Sequence, residues 1–568
     1  MKTTVVSLLF SAMLVAPIAC AQDLSRYSEE GLQKELASIA ESQTAVLVPM
    51  RDGIGLSTNI YRPRNASGDV PTILLKTPYN EHNPRGGTMR YAIEAVRHGY
   101  AFIVQNERGR YFSQGKYEIL GYPQTDGYDT LSWIADQSWS NGKVGTLGCS
   151  SSAEWQLALA GMNHPAHAAM VPMASGAGIG KVGRFWEQGN FYTGGVPRTL
   201  FGVWMYGVDN PLRAQLPADL SGAMRARVAG YNDLDTDKPE VNWKKHIWHL
   251  PYADLLSSLG EPPATFETLI ARGPGDKAWT TGGLYDDSMG WGVPALWFNS
   301  WYDVSIGPNM ELFNHARSVN SDREASANQF VVVGPNPHCQ FARLGKDYKV
   351  GDREMGDASF PVDEQTFAFF DRWLKDKPAA FPASTPHVRY FTMGLNKWQS
   401  DAQWPPKAAK PVRMYLHSGG DANSMFGDGV LSFEAPAGAE PIDTYRYDPA
   451  NPVQTIGGGD CCNGGLVIAG AYDQRPISAR YRDSYTDPAL MEPGKVYTLK
   501  PTPITTSIQF GKGHRIRVEV TSSNFPKFAR NLNTGGPNET ESEAVVADTS
   551  LHHSADAASY IELPVVAR

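Results

Sequence analysis

The stretch KVGTLGCSSSAE, residues 143–154, joins a predicted strand to a predicted helix through three consecutive serines. A glycine two residues before a serine at such a junction is typical of the nucleophile elbow, a tight turn that holds the serine hydroxyl clear of the backbone. We therefore predict that Ser150 is a nucleophile and that the backbone N–H of Ser151 donates to an oxyanion. Ser152 is interpreted as a helix-start residue whose hydroxyl competes for the unpaired N–H groups of the first turn. A purely structural Ser150 is the alternative.

The segments around this stretch alternate between β-rich and helical runs. The alternation fills residues 40–180 and resumes over residues 291–380. Strands that alternate with helices predict an α/β domain, with a mostly parallel sheet and helices on both faces. Residues 181–290 are rich in Trp, Gly and Asn, contain short helical pieces and lack strong strands. We interpret them as a helical cap inserted into the α/β domain.

Two further strands of this domain end at residues that complete a catalytic set. The run PALWFNSWYD ends at Asp303, and the run NQFVVVGP ends just before His338. Reactive side chains in an α/β sheet lie at the carboxyl ends of the strands. The order serine, acid, histidine along the chain is that of the α/β-hydrolase triad, in which the histidine is the base and the acid orients it. The sequence therefore predicts a triad of Ser150, Asp303 and His338.

The last part of the chain, residues 385–568, consists of short β segments separated by Pro and Gly. The segments are HVRYFTMG, VRMYLHSG, VYTLKPTPITTSIQF and HRIRVEVTSS. Short, evenly spaced strands with turn residues between them favour an all-β sandwich. We expect a separate C-terminal domain of this class.

Length and composition narrow the range of partners. A chain of 568 residues with 42% hydrophobic and 19% charged residues is expected to fold into two to four globular units. The net charge of −8, with both signs mixed along the chain, argues against nucleic acid as a partner. Neither an H-x-x-x-H motif nor a zinc-type cysteine spacing occurs, so we expect no metal and no other cofactor. The expected partner is a small ester or amide, and a homo-oligomer is left open.

The N-terminus has the pattern of a secretory signal peptide over residues 1–21. Lys2 precedes an apolar stretch from Val5 to Ile18, and the small residues just before Gln22 are typical of a signal-peptide cleavage site. Lipoprotein anchoring through Cys20 is the alternative. No later stretch reaches the ~20 apolar residues that a membrane span needs. We expect an exported protein, periplasmic or secreted.

Four cysteines remain after such cleavage. They are Cys149, Cys339, Cys461 and Cys462. Export permits disulfides, and four cysteines allow three pairings between which the sequence does not choose. Free buried thiols are the alternative.

These motifs carry a resemblance that covers nearly the whole mature chain. The matching stretches are VPMRDGIGLSTNIYRP (48–63), KTPYN (76–80), NERGRYFSQG (106–115), WSNGKVGTLGCSSSAEW (139–155), WYD (301–303), GPNPH (334–338), YFTMGLNKW (390–398) and GHRIRVEVTSSNFPKFARNLNTG (513–535). The sequence resembles the serine hydrolase family of X-prolyl dipeptidyl aminopeptidases, cocaine esterase, α-amino-acid ester hydrolases and glutaryl-type acylases. The resemblance implies an α/β-hydrolase domain with a helical cap and a C-terminal jelly-roll-like domain. It also implies the triad Ser150, Asp303 and His338, with the Tyr79 phenol as a second oxyanion donor beside the Ser151 N–H.

The chain departs from the family pattern at the elbow and in the β domain. Ser151 and Ala153 replace the tyrosine and the last glycine of the usual G-x-S-Y-x-G motif, which alters the pocket wall. Several strands are also missing between Arg475 and Ala479, where an early segment of the sandwich runs directly into a later one. We therefore expect a smaller or rearranged β domain.

The substrate preference is predicted from the cap. Arg184, Phe185, Trp186 and Trp204 are the candidate substrate-binding residues, and no carboxylate pair follows Asp303. A buried ammonium needs a paired carboxylate, so the pattern favours neutral or carboxylate-bearing acyl groups over free α-amino groups.

Three alternative functions remain at this point. Glu187 near the cap arginine keeps open an X-Pro dipeptidyl-peptidase-like aminopeptidase or an α-amino-acid ester hydrolase. The third alternative is a non-catalytic secreted binding protein.

Overall fold

The computed structural model describes most of the chain. The described ranges are residues 28–80, 86–120, 122–209, 216–217, 219–231, 234, 238–280, 283–319, 321–455 and 475–567. The predicted signal peptide, with Cys20, and the pair Cys461 and Cys462 lie outside these ranges.

The first part of the α/β domain alternates strands with helices, as the sequence pattern predicts. The strands are β1 Ala40–Pro49, β2 Gly55–Pro63, β3 Val70–Thr77, β4 Ala101–Asn106, β5 Ser140–Cys149 and β6 His167–Met173. The helices are α1 Glu29–Ile39, α2 Gly86–Arg97, α3 Tyr128–Ala135 and α4 Ser151–Ala160. Helix α4 begins directly after Ser150.

The insertion that follows consists of short helices and very short strands. The strands are β7 Ile179–Val182, β8 Phe185–Trp186, β9 Tyr192–Thr193, β10 Val196–Pro197 and β11 Tyr285–Asp286. The helices are α5 Thr199–Val208, α6 Gly222–Ala229, α7 Trp243–His246 and α8 Thr265–Ala271. Aromatic and aliphatic side chains of this region, among them Phe191, Phe201 and Phe266, pack into a core of their own.

The second part of the α/β domain completes the sheet. Its strands are β12 Ala295–Tyr302, β13 Gln329–Pro337, β14 Tyr348–Val350, β15 Arg353–Gly356, β16 Val388–Thr392 and β17 Lys397–Asp401. Its helices are α9 Ile306–Ser318, α10 Arg323–Ala327 and α11 Val362–Leu374.

Ten strands form one sheet, in the order β1-β2-β4-β3-β5-β6-β12-β13-β16-β17. The block from β4 to β16 is parallel throughout, and β1, β2 and β17 pair antiparallel at the two edges. Phe369 and Phe370 of α11 pack into the core on one face, while Leu312 and Phe313 of α9 pack into the core on the other. This is the arrangement of an α/β-hydrolase sheet. It reaches Asp401 and so extends past residue 380, where the sequence pattern suggested that the domain ends.

The C-terminal region is β-rich. It contains β18 Lys410–His417, β19 Val430–Ser432, β20 Asp443–Tyr447, β21 Ala547–Leu551 and β22 Tyr560–Val565. Strands β19, β18 and β22 form one sheet, and β20 and β21 form another. Residues 475–546 are all described and contain no strand, only isolated bridges such as the one between Met393 and Ile508. Two segments predicted as strands, VYTLKPTPITTSIQF and HRIRVEVTSS, are therefore not part of a sheet.

Candidate active site

Ser150 lies in the tight turn between β5 and α4. Its φ of 58° and ψ of −136° are unusual for a residue with a side chain, and such strain is concentrated at functional sites. The turn needs glycine at position 148, because a Cβ there would overlap the carbonyl oxygen of Ser152. The Ser150 N–H donates to the carbonyl oxygen of Met173 at 3.0 Å, which fixes the turn to the neighbouring strand β6. The geometry is that of a nucleophile elbow.

The three serines have three different environments. Ser150 is partly exposed, whereas Ser151 and Ser152 are buried. Ser151 is the first residue of α4, where backbone N–H groups have no partner within the helix, and its own hydroxyl has no hydrogen-bond partner among the described residues. The Ser152 hydroxyl donates to Thr77 Oγ1 at 2.8 Å. Ser152 thus ties the helix start to β3 through its side chain, and does not cap the first turn as the sequence pattern suggested.

Asp303 and His338 lie at the carboxyl ends of the adjacent strands β12 and β13. His338 Nδ1 donates to Asp303 Oδ2 at 2.8 Å, and the N–H and hydroxyl of Ser305 donate to Asp303 Oδ1 at 3.2 and 3.1 Å. Asp303 is completely buried. Burial by itself raises the pKa of Asp303, but the charge of His338 and the hydrogen bonds from His338 and Ser305 outweigh burial and hold this pKa below its usual value. Asp303 is therefore a carboxylate that accepts the hydrogen bond of the imidazole.

One cleft contains Ser150, Ser151 and His338. Its empty volume is about 500 Å³, including the part that is open to solvent. Its walls are mainly apolar and come from the cap, the elbow and the loop after β12. The remaining lining residues are Ile119, Leu120, Glu154, Ala174, Ala177, Gly189, Asn190, Leu200, Phe201, Trp204, Val304 and Ser305.

Tyr79 and Trp204 are joined at this cleft by a hydrogen bond. Tyr79 follows the carboxyl end of β3, and its phenol oxygen accepts a hydrogen bond from Trp204 Nε1 at 3.1 Å. Asn106 Nδ2 donates to the backbone carbonyl of Tyr79 at 2.7 Å and holds the loop. A phenol oxygen that accepts one hydrogen bond can still donate its own O–H.

Trp204 is the one residue of the predicted substrate-binding set that lines the described cleft. Arg184 is exposed at the surface of the cap. Phe185 is buried beneath the Arg475 guanidinium, and Trp186 packs edge-on against Tyr485. Because these three side chains lie in other environments, we do not include them in the proposed function.

Glu187, which the sequence left open as an ammonium partner, is paired within the protein. Its Oε2 lies 3.0 Å from Arg475 Nη1 and 3.8 Å from Arg198 Nη2, and all three side chains are 1% exposed. The Arg198 guanidinium also donates to the Val304 carbonyl at 2.7 Å. Two buried cations therefore neutralise this carboxylate, and the group ties the cap to the loop after Asp303.

Sequence reasoning missed two polar residues of the cleft, Glu154 and Asn190. Glu154 lies four residues after Ser150, one turn along α4, so helical spacing could have indicated that it faces the same side as the elbow. Asn190 lies in a Gly-rich stretch of the cap and carries no comparable signal in the sequence.

A disulfide joins Cys149 to Cys339, with Cα atoms 5.9 Å apart. Cys149 directly precedes Ser150, and Cys339 directly follows His338. The bond therefore connects the elbow to the histidine loop across two intervening strands, β6 and β12. Sequence alone allowed three pairings, and this bond excludes the two in which Cys149 pairs with another cysteine.

Removing this disulfide is expected to destabilise the protein. The bond closes a loop of 190 residues, for which the chain-entropy model gives a contribution of up to about 5 kcal/mol to the free energy of unfolding. The double variant Cys149→Ala/Cys339→Ala should have a lower Tm than the native protein in thermal unfolding without reductant. Dithiothreitol should lower the Tm of the native protein but not that of the variant. Equal melting temperatures for the two proteins without reductant would contradict this role.

The described residues contain neither a candidate membrane span nor a candidate metal site. None of the described helices is long and apolar enough to cross a membrane. Within the same part of the chain, no group of three or more His, Cys, Asp or Glu side chains is arranged to hold a metal ion.

The mostly parallel sheet, with its serine elbow after a central strand, defines the class of α/β-hydrolases. Residues 52–340, just over half of the chain, match the sequence family described as X-Pro dipeptidyl-peptidase (S15 family). The model of the X-Pro dipeptidyl-peptidase C-terminal non-catalytic domain matches residues 477–562. The chain therefore belongs to the S15 X-Pro dipeptidyl-peptidase family, and the resemblance noted in the sequence is confirmed.

Individual relatives agree with this assignment. The chain is 29% identical to the cocaine esterase of Rhodococcus sp. (strain MB1 Bresler), over 92% of this chain and 98% of that protein. Among solved structures, an α-amino acid ester hydrolase matches with a TM-score of 0.71 at 22% identity, covering 97% of this chain and all of that one. An aminopeptidase from a marine sediment Thaumarchaeota archaeon matches with a TM-score of 0.70 at 20% identity, covering 92% and 96% of the two chains. These structures support the fold, and the family supports a serine hydrolase.

Proposed function

We propose that the protein is an exported serine hydrolase that cleaves acyl esters or amides through an acyl-enzyme intermediate on Ser150. The observation that carries the proposal is the 2.8 Å hydrogen bond between His338 and the buried Asp303, whose histidine shares a cleft with the elbow serine. In this mechanism His338 takes the Ser150 proton as Oγ attacks the substrate carbonyl carbon. The tetrahedral intermediate then collapses, and the leaving group departs with the proton from the imidazolium. Water, activated by the same imidazole, releases the acyl group.

The oxyanion of the tetrahedral intermediate requires donors aimed at it. The backbone N–H of Ser151, at the start of α4, is the first proposed donor, as in other elbows. The Tyr79 phenol is the second. Its oxygen accepts from Trp204 Nε1, an arrangement that orients the phenol, and a phenol that accepts a hydrogen bond can also donate its O–H to an oxyanion.

Replacing Tyr79 with phenylalanine is expected to lower kcat by about 10²-fold, because one oxyanion donor is lost. KM should change little, since this hydrogen bond forms mainly in the transition state. Trp204→Phe is the matched control. It keeps the Tyr79 phenol but removes the indole N–H that orients it, so we expect a smaller loss of kcat. A Tyr79→Phe variant with native kcat would remove Tyr79 from the mechanism.

Protonation of the triad sets the expected dependence on pH. The folded protein holds the pKa of Asp303 below the ordinary aspartate value of about 3.9. Ionised Asp303 therefore contributes fully to stability at pH values above about 3.9. This contribution is lost as the pH falls through the lower pKa of the folded state. Above that range, activity should rise with pH as the imidazolium of His338 loses its proton. Treatment with EDTA should leave activity unchanged, since no step uses a metal.

The cleft supports a neutral acyl group with an aryl or alkyl body. Leu200, Phe201 and Trp204 form apolar walls, while Glu154 contributes a carboxylate. This carboxylate disfavours acyl groups that carry a carboxylate of their own, so we narrow the earlier expectation to neutral groups. Glu154 also favours a second candidate function, that of an X-Pro dipeptidyl-peptidase-like aminopeptidase, in which it would pair with a substrate ammonium.

A panel of chromogenic substrates distinguishes the two functions. It consists of p-nitrophenyl phenylacetate, the matched phenylglycyl ester and an X-Pro anilide. If the protein is an ester hydrolase, kcat/KM should be higher for the phenylacetyl ester than for the phenylglycyl ester at pH values below the pKa of the phenylglycyl amine. A preference of tenfold or more for the ammonium form, lost in a Glu154→Gln variant, would instead establish the aminopeptidase-like function.

Two observations support export. Residues 1–21 have the pattern of a signal peptide, and the disulfide between Cys149 and Cys339 belongs to an oxidising compartment. These observations support our proposal that the protein is periplasmic or secreted.

A further inference from the structure

Asn190 is a polar side chain of the cleft that the mechanism does not use. Its side chain is completely buried, and it lines the same cleft as Ser150 and His338. Neither Oδ1 nor Nδ2 has a hydrogen-bond partner among the residues that the structure describes. Buried amide atoms are nearly always paired in folded proteins, so an amide left in this state beside a nucleophile suggests a ligand.

The backbone that carries Asn190 is held in an uncommon conformation. Gln188, Gly189 and Asn190 have φ values of 41°, 65° and 63°, so three consecutive residues lie in the left-handed region. Asparagine tolerates this region better than most residues. Such backbone persists only where the surroundings enforce it, and it occurs preferentially at functional sites.

The surroundings of this segment do enforce it. Gln188 Nε2 donates to the Pro274 carbonyl oxygen at 2.8 Å. The preceding residue, Glu187, is fixed by Arg475 at 3.0 Å and by Arg198 at 3.8 Å. The buried ion pairs thus anchor the segment from one side, and Asn190 lies on the cleft.

The chemistry of a carboxamide determines which group it can bind. The side chain of Asn190 is uncharged and offers both a donor and an acceptor, so a group that also does both satisfies it. Hydroxyl and amide groups have this property. Nearby lining residues such as Leu120, Leu200 and Phe201 suit the apolar remainder of an acyl group.

We propose that Asn190 is a specificity-determining residue, and that the preferred acyl group combines an apolar body with an uncharged hydroxyl or amide that Asn190 binds. This inference rests on the proposed function, with Ser150 as the nucleophile of an acyl transfer. It adds to the proposed function the chemical class of the acyl group.

The test compares matched esters in the native enzyme and in an Asn190→Gly variant. Glycine adopts a φ of 63° without strain, so the variant removes the amide and keeps the backbone. The substrates are the p-nitrophenyl esters of phenylacetic acid, mandelic acid and N-acetylphenylglycine, and the kcat/KM ratios are corrected for the alkaline hydrolysis rates of the same esters. The native enzyme should prefer one of the two polar esters to the phenylacetyl ester by tenfold or more. In Asn190→Gly this preference should fall below threefold.

Asn163→Gly is the matched control, because Asn163 is also left-handed, with a φ of 49°, but is exposed and does not line the cleft. It should keep the native preference. Asn190→Asp is a second variant that also tolerates the left-handed backbone. It places a carboxylate at the same point and should raise kcat/KM for the protonated phenylglycyl ester, relative to the phenylacetyl ester, by tenfold or more.

Equal corrected rates for all three esters in the native enzyme would overturn the inference, as would a preference that survives in Asn190→Gly. An Asn190→Asp variant with the native phenylglycyl ratio would also overturn it. These outcomes are distinct from failure of the proposed function. In that case hydrolysis of every ester would be absent or would persist in a Ser150→Ala variant.

Discussion

Replacing Ser150 with alanine is expected to lower kcat by at least ~10⁴-fold while the fold is kept, because the proposed nucleophile is lost. Ser150 is partly exposed, and the elbow is fixed by backbone hydrogen bonds and by Gly148, so the hydroxyl contributes little to stability. The measurement is kcat for a chromogenic ester together with thermal unfolding of the same sample. The Tm should stay within a few degrees of the native value.

The two neighbouring serines provide matched controls. Ser151→Ala removes a hydroxyl that has no partner in the described structure and keeps the backbone N–H, so most of the activity should remain. Ser152→Ala breaks the hydrogen bond to Thr77 and should lower stability by about 1 kcal/mol, with measurable activity. An inactive Ser152→Ala variant beside an active Ser150→Ala variant would show that the elbow is assigned to the wrong serine.

Replacing Asp303 with asparagine should lower kcat by about 10⁴-fold, because an amide in this position favours the wrong imidazole tautomer. In the native protein Asp303 accepts a hydrogen bond from His338 Nδ1, so the other ring nitrogen is the proposed base toward Ser150. An asparagine that retains the hydrogen bonds from Ser305 would instead donate to Nδ1 through its Nδ2. The measurement is kcat across pH, with circular dichroism to establish that the variant is folded.

Ser305→Ala is the control for this prediction. It removes one of the two Ser305 donors to Asp303 but leaves the backbone N–H and the carboxylate, so kcat should fall by less than about tenfold. A fully active Asp303→Asn variant would mean that another group orients His338.

The catalytic domain could be predicted well because its signals are local. Strands β3, β4, β5 and β12 of the parallel block are apolar runs followed by a helix, and Ser150, Asp303 and His338 each follow an apolar strand directly. The end of the domain was harder to locate. Strands β16 and β17 have the short β pattern of the C-terminal region, and only the pairing of β16 with β13 and of β17 with β16 assigns them to the large sheet.

The β region illustrates the limit of local propensity. The residues around Val496, Ile504 and Val520 have the composition of strands, yet these three residues are 50–58% exposed and lie outside any sheet. A strand requires a partner for its backbone groups, and among the described residues these segments make no more than isolated bridges. The sequence predicts that the β domain is smaller than usual, but it does not predict where the remaining segments lie.

Most of the cleft could not be predicted because its contacts join distant parts of the chain. The Arg475–Glu187 ion pair spans 288 residues, and the Cys149–Cys339 bond spans 190. Pairing with Arg475 removes Glu187 from the list of candidate ammonium sites, while exposure removes Arg184 from the cleft. Asn190 is recognisable only from its burial and its unpaired amide.

The most direct test of the account is covalent labelling of the native protein with a fluorophosphonate, followed by peptide mass spectrometry. We expect one adduct per chain, on Ser150, with labelling lost in Ser150→Ala and strongly slowed in Asp303→Asn. An adduct on another residue, or an unlabelled protein that still hydrolyses esters at an undiminished rate, would contradict it.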